Sequence, residues 1–475
     1  MTSLLDALTP SPAAVLVCVR LPGTAEGEAE SSLRELHRLV RTLGFRVIAT
    51  MVQARGNLNG PTVVGEGKLA ELGRLTGGSG QVPSPVKRKL TKAALRREEA
   101  RDDEEPEEPQ PASGTESARE KAQVVVFDCE LTPSQTQKLE GATGARVLDR
   151  AGVIIEIFST HARTRAAKLQ VEVARLKYVA PRLRETGGAS ERQGGGIGGK
   201  GTGESKVELD RRKIRDRLKE LREELEGIGD EDSQRRERRH DEHTVALVGY
   251  TNAGKSSLMR ALTGSDVLVE DKLFATLDTT VRELKPVARP RILVGDTVGF
   301  IKKLPHDLIA SFRSTLEEAR HGSLLLQVVD ASDDDFRSQL ATTHSVLAEI
   351  GAGEVPLLLV LNKCDRLPDA ARRALAREFP DAIQMSALAP TDVAALHDRL
   401  VSHFEEGMVD CTLLVPWAAG GATGEVRSTV RVLDETYRDD GLELKIRTAP
   451  ETLKRLCKNH GLEMPRRTSR PRARA

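Results

Sequence analysis

The 475-residue sequence predicts an α/β protein: a P-loop domain with a parallel sheet, preceded by a small α/β subdomain plus an antiparallel helical hairpin, and followed by a small C-terminal α/β module. Three observations carry this reading. Continuous apolar runs at Val245–Val248, Ile292–Val294, Leu324–Val329 and Leu357–Leu361 alternate with helical segments, as buried parallel strands do. A loop of the form GxxxxGK[ST] follows the first run. Upstream, apolar residues step by 4, 3, 4, 3, 4 through Ala162, Ala166, Leu169, Val173, Leu176 and Ala180. A second stripe steps by 7, 4, 3, 4, 3 through Val207, Ile214, Leu218, Leu221, Leu225 and Ile228, and a Gly-rich stretch separates the two.

Residues 1–150 form the first α/β subdomain. Ala13–Val19 and Phe45–Val52 read as strands, with Leu33, Leu36, Leu39, Val40 and Leu43 as the helical stripe between them. A short helix is expected over Lys68–Leu75, and regular structure resumes with Val124–Phe127, a helix at Ser134–Leu139 and a strand at Arg146–Leu148. Between them, residues 77–120 read as a disordered acidic insertion: six Lys/Arg fall within 87–97, then three basic against eight acidic residues within 96–108, with no apolar periodicity. The hairpin with its Gly-rich loop occupies 151–240, the P-loop domain 241–405 and the C-terminal module 406–464. In that module, strands are expected near Thr412–Val415, Thr429–Leu433 and Leu442–Ile446. A basic tail, 465–475, holds five arginines and reads as unstructured.

Composition excludes several classes. With 39% hydrophobic and 30% charged residues the bulk is globular, and 3% aromatic content disfavours binding that rests mainly on base stacking. Five scattered cysteines without a CxxC pair argue against a disulfide framework or zinc site and fit a reducing compartment. No stretch approaches a membrane span and the N-terminus lacks a leader pattern. The chain reads as cytoplasmic, with at most a loose membrane association, and as a monomer.

Gly249-Tyr250-Thr251-Asn252-Ala253-Gly254-Lys255-Ser256 sits between a predicted strand and a predicted helix. Backbone N–H groups there can wrap phosphates, Lys255 can place its charge on the β/γ-phosphates, and Ser256 can ligate Mg²⁺. Asp296-Thr297-Val298-Gly299 lies 47 residues on, at a strand end, where Asp296 can hold Mg²⁺ through water and the Gly299 N–H can sense a γ-phosphate. Asn362-Lys363-Cys364-Asp365 ends another strand 66 residues further. An Asp at that place accepts two hydrogen bonds from guanine that adenine cannot supply, so Asn362 and Asp365 are assigned to the base. Ser386-Ala387-Leu388 can close over it. The ordered set implies a Mg²⁺-dependent GTP hydrolase.

Two points stay open on spacing alone. Phe274-Ala275-Thr276-Leu277-Asp278 and the following Thr279 and Thr280 offer three threonines for Mg²⁺. After Gly299 come Phe300 and Ile301, so no Gln stands ready to orient water; intrinsic turnover should be slow and another group must complete the site. Asn252 either helps to bind K⁺ near the phosphates or merely braces the loop. Lys255, Asn252 and Gly299 are the catalytic candidates.

These motifs resemble the HflX family of translation-associated GTPases. GYTNAGKS (249–256), FATLD (274–278) and DTVGFI (296–301) carry the likeness, together with VGEGKLAEL (64–72), VVVFDCELTPSQTQKLE (124–140) and DRAGVIIEIFSTHARTRAAKLQVEVARLKY (149–178). GGGIGGKGTGES (194–205) resembles the family's glycine loop, although Lys200 and Thr202 stand where Arg and Pro are commoner. The resemblance selects Thr276 as the switch threonine and makes Phe300 a family feature. It implies binding to the large ribosomal subunit, with Arg192, Gly198, Gly199, Lys200 and Gly201 as rRNA contacts. It further implies splitting or rescue of stalled ribosomes, with hydrolysis releasing the factor. The rival readings are a subunit assembly factor and a regulatory GTP switch that binds a protein or membrane partner. A non-hydrolysing nucleotide sensor is a further rival. No second phosphate loop is visible in the N-terminal subdomain.

Overall fold

A computed structural model describes residues 11–24, 26–82, 120–183, 206–237, 242–265, 274, 280–302, 318–465 and 467–468. The glycine loop with Arg192, the switch residues Ala275, Thr276, Leu277 and Asp278, and residues 83–119 of the expected insertion lie outside them. The chain divides into two units, Met1–Ile157 with Pro181–Thr186, and Phe158–Ala180 with Gly187–Ala475.

The first unit contains β1 (Ala13–Arg20), α1 (Glu26–Thr42), β2 (Arg46–Ala54), α2 (Glu66–Thr76), β3 (Val124–Phe127), α3 (Pro133–Thr143), β4 (Arg146–Asp149) and the start of α4 (Arg150–His161). Its four strands form a parallel sheet in the order β2-β1-β3-β4. Val15, Val17, Val125 and Phe127 pack against Leu69, Leu72 and Leu139 of the helices. Thr132 and Gln135 exchange hydrogen bonds as a capping box at the start of α3, satisfying two backbone donors that the helix leaves unpaired. Arg150 is buried between Asp128, 2.6 Å away, and Glu35, tying the ends of β3 and β4 to α1. Asp149 accepts from the Gly152 and Leu131 backbones and from Arg182 at 2.8 Å, which draws the chain after the next helix back onto β4.

One sequence expectation is corrected here. Gly77 to Gly80 belong to the folded subdomain, not to the insertion. The Gly80 N–H donates to the Ala142 carbonyl at 2.9 Å, and a Cβ on Gly78 would lie 2.2 Å from the Thr143 carbonyl oxygen. The glycine run therefore serves a backbone-to-backbone contact that no larger residue permits.

In the second unit, α5 (Arg165–Val179) and α6 (Lys206–Glu237) pair through Leu169, Val173 and Leu221, flanked by Leu176, Leu218, Leu225 and Ile228. Arg165 meets Glu224 while Glu172 meets Arg217, so the two helices run antiparallel. The next stretch holds β5 (His243–Val248), α7 (Lys255–Thr263), β6 (Thr280–Glu283), β7 (Ile292–Asp296), β8 (Leu324–Asp330), α8 (Phe336–Glu349), β9 (Leu357–Asn362), α9 (Asp369–Glu378), β10 (Ile383–Gln384) and α10 (Pro390–Glu405). The sheet order is β10-β9-β8-β5-β7-β6, parallel except for the edge strand β6. Strand β6 has no apolar run to betray it; its partner β7 supplies the pairing.

The C-terminal module holds β11 (Val409–Pro416), α11 (Gly420–Thr429), β12 (Arg431–Tyr437), β13 (Gly441–Thr448), α12 (Pro450–His460) and β14 (Arg467–Thr468). Its sheet is antiparallel, ordered β12-β13-β11-β14, so two residues of the basic tail are paired instead of unstructured. The free edge of β11 provides the ladder that their composition does not suggest. Glu405, at the end of α10, is buried against Arg431 and, at 2.8 Å, Arg447.

Candidate nucleotide site

The loop 249–256 leaves β5 and enters α7. Gly254 caps α7 at φ +94°, and a Cβ there would lie 2.3 Å from Asn362 Nδ2, so both conformation and space demand glycine. Lys255 is buried and its Nζ donates to the Gly249 and Tyr250 carbonyls at 3.1 and 2.8 Å. Burial lowers its pKa to about 8, with Asp296 acting in the opposite direction. The ammonium is thus folded back on its own loop, ready to exchange two neutral carbonyls for phosphate oxygens.

Ser256 Oγ donates to Asp296 Oδ2 at 3.0 Å, which brings together a hydroxyl and a carboxylate from α7 and β7. Two hard oxygens beside a phosphate loop suit Mg²⁺, which binds few protein ligands and completes its shell with water and phosphate. The residues present therefore fit the ion. Thr297 does something different: its hydroxyl donates to the Leu247 carbonyl at 2.6 Å and ties β7 to β5. Val298 and Ala253 are buried apolar packing.

The segment after Gly299 is stitched to the phosphate loop. Phe300 N–H donates to the Gly249 carbonyl at 3.0 Å, and Thr251 N–H to the Phe300 carbonyl at 2.8 Å. The Tyr250 hydroxyl accepts from the Lys302 N–H at 2.6 Å. Phe300 itself is 2% exposed. Phe274 adopts φ +59° and packs edge-on against Phe158 with ring centroids 4.7 Å apart.

At the far side, Asn362 ties two loops together. Its Nδ2 donates to the Ala253 carbonyl and its Oδ1 accepts from the Ala387 N–H, both at 2.9 Å. These bonds brace two loops through neighbours that the motif does not contain, and they use one of the two donors on Nδ2. Lys363, at φ +61°, donates to the Asn252 carbonyl at 2.8 Å and to Asp330 at 2.6 Å. Asn252 is exposed, and its side chain makes no hydrogen bond among the described residues; its backbone carbonyl is the atom that Lys363 holds. Asp365 is exposed on a short turn anchored by the buried Cys364, whose thiol burial holds protonated. The Ser386 N–H donates to Asp392 at 2.8 Å, the Leu388 N–H donates to Ser386 Oγ, and Leu388 is 77% exposed. Sequence reasoning missed Asp330, Tyr250's hydroxyl and the bridge at Phe300; the strand-end position of Asp330 was the one available signal.

A mainly parallel sheet that carries these loops on its strand ends, in this order, defines a P-loop GTPase. Residues 244–363 match the family described as 50S ribosome-binding GTPase, 161–239 the GTP-binding GTPase middle region, and 30–82 with 113–159 the GTP-binding GTPase N-terminal region. The GTPase HflX of Gluconacetobacter diazotrophicus is 57% identical over 447 residues, covering 94% of this chain and 97% of that protein. Those of Caldanaerobacter subterraneus and Escherichia coli are 36% and 40% identical over 434 and 342 residues, covering 90% and 71% of this chain and 90% and 80% of theirs. The chain belongs to the HflX GTPase family and hydrolyses GTP.

Proposed function

We propose that this chain binds the large ribosomal subunit and splits or rescues stalled or stress-inactivated ribosomes, with GTP hydrolysis driving its release. The observation that carries the reading is the match of residues 244–363 to a 50S ribosome-binding GTPase family, in one chain with the middle and N-terminal regions. The antiparallel hairpin of α5 and α6 supports it, because it carries the Gly-rich sequence between its helices. Bare glycine backbone approaches RNA phosphates closely, and Arg192 and Lys200 add charge there.

In this reading the loop 249–256 holds the phosphates by backbone N–H groups, Lys255 neutralises charge on them, and Asp365 selects guanine. Gly299 senses the γ-phosphate and passes its presence to Phe300. Ser256 and Thr276 ligate Mg²⁺, which when bound neutralises the β- and γ-phosphate oxygens. Asn252, unbraced, is the residue we assign to K⁺. Among the described residues no helix is long and apolar enough to cross a membrane.

The test is GTP hydrolysis with and without purified large subunits, with subunit separation followed in the same sample. Stimulation accompanied by separation is expected. Stimulation without separation, together with preference for immature subunits, would favour the assembly reading instead.

A further inference from the structure

We propose that the Thr251 hydroxyl is a catalytic group that holds the attacking water, in the place where other GTPases use a glutamine. Thr251 is the third residue of the phosphate loop and only 7% exposed. Its Oγ1 is buried and has no hydrogen-bond partner among the described residues. A buried hydroxyl left unpaired is destabilising, so such a group calls for a ligand.

Its surroundings say which ligand. A Cβ on Gly299 would lie 2.9 Å from Thr251 Cα, 2.9 Å from Thr251 Cγ2 and 2.9 Å from Lys255 Nζ. Thr251 therefore stands directly beside the two groups assigned to the γ-phosphate. Its N–H is bonded to the carbonyl of Phe300, the residue at the position where a water-orienting glutamine would be. The Phe300 side chain is buried and apolar and cannot serve. The Thr251 backbone is thus held one hydrogen bond from the deficient position, and its hydroxyl is left unpaired beside it.

A hydroxyl can accept one hydrogen bond and donate another, which suits the positioning of water. In the step it serves, the water oxygen bonds to the γ-phosphorus. The bond from that phosphorus to the β–γ bridging oxygen breaks, its electron pair leaving on GDP. The water proton passes to a γ-phosphate oxygen. Thr251 emerges unchanged, having oriented the nucleophile.

The test compares Thr251→Val, which keeps the shape and removes the hydroxyl, with Thr251→Ser, which keeps the hydroxyl. Single-turnover GTP hydrolysis is measured beside the affinities for GDP and for a non-hydrolysable GTP analogue. For Val, the rate should fall by ~10²-fold or more, the low end for a positioned proton-handling group, with both affinities within about twofold. Ser should retain most of the rate. An unchanged rate in the Val variant overturns the proposal. So does a rate loss matched by weaker analogue binding, which would make Thr251 a ground-state phosphate contact. Loss of GDP binding in both variants would mean a structural role and would overturn it as well.

Discussion

Lys363 Nζ lies 2.6 Å from the Asp330 carboxylate and 2.8 Å from the Asn252 carbonyl. One ammonium thus fastens the end of β8 to the phosphate loop, from the motif that also holds Asp365, the residue proposed to select guanine. Asp330 also accepts from the Ser332 N–H and hydroxyl, so its own orientation is fixed.

Asp330→Asn should therefore weaken GDP and GTP together. A hydrogen bond to a charged group contributes about 1.5–3 kcal/mol, and the partial exposure of this pair puts the loss at the lower end, about tenfold. Preference for GTP over ATP should persist, because Asp365 is untouched. Fluorescent nucleotide titration reads both quantities; a changed base preference would refute the assignment.

Asp365→Asn acts on selectivity instead. The variant should lose ~10²-fold or more in GTP affinity and gain a preference for xanthosine nucleotides, as expected when a polar site loses its matched partner. Unchanged GTP selectivity would remove Asp365 from the base.

The Lys255 ammonium predicts a pH signature. Without nucleotide its pKa is held at about 8 by burial, and phosphate binding favours the charged form. Below pH 8 the lysine is already protonated and affinity is flat. Above pH 8 binding must take up a proton, so affinity falls, by up to tenfold per pH unit. Calorimetry in buffers of different ionisation enthalpy should show proton uptake at pH 8.5 and little at pH 7.

Leu221, fully buried between α5 and α6, sets the strength of the hairpin. Leu221→Ala should cost about 3 kcal/mol and loosen the pair, seen as lower hydrogen-exchange protection in α5 and α6. GDP affinity should hold, since no phosphate-loop residue packs on Leu221.

Much of this was legible from pattern alone. The apolar runs of β5, β7 and β8 are buried on both faces and that of β9 over its second half, so they stand out without alternation, and the 3–4 steps of α5 and α6 survive because the hairpin seam is narrow. The phosphate loop was legible because its glycines answer local geometry. The bracing bonds of Asn362 were not, since its partners Ala253 and Ala387 are 109 and 25 residues away. Nor was the side of the chain to which Phe300 points, which backbone pairing decides. Strand β6 escaped notice because Thr280-Val281-Arg282-Glu283 has little hydrophobic content and depends on β7 for its existence.

The stitch at Phe300 also closes an easy evolutionary route. Peptide groups, not the ring, make the bonds to Gly249 and Thr251, so Phe300→Gln would keep those bonds and bury an amide in place of the ring. Restoring the familiar glutamine by substitution alone therefore carries the cost of burying an unpaired amide.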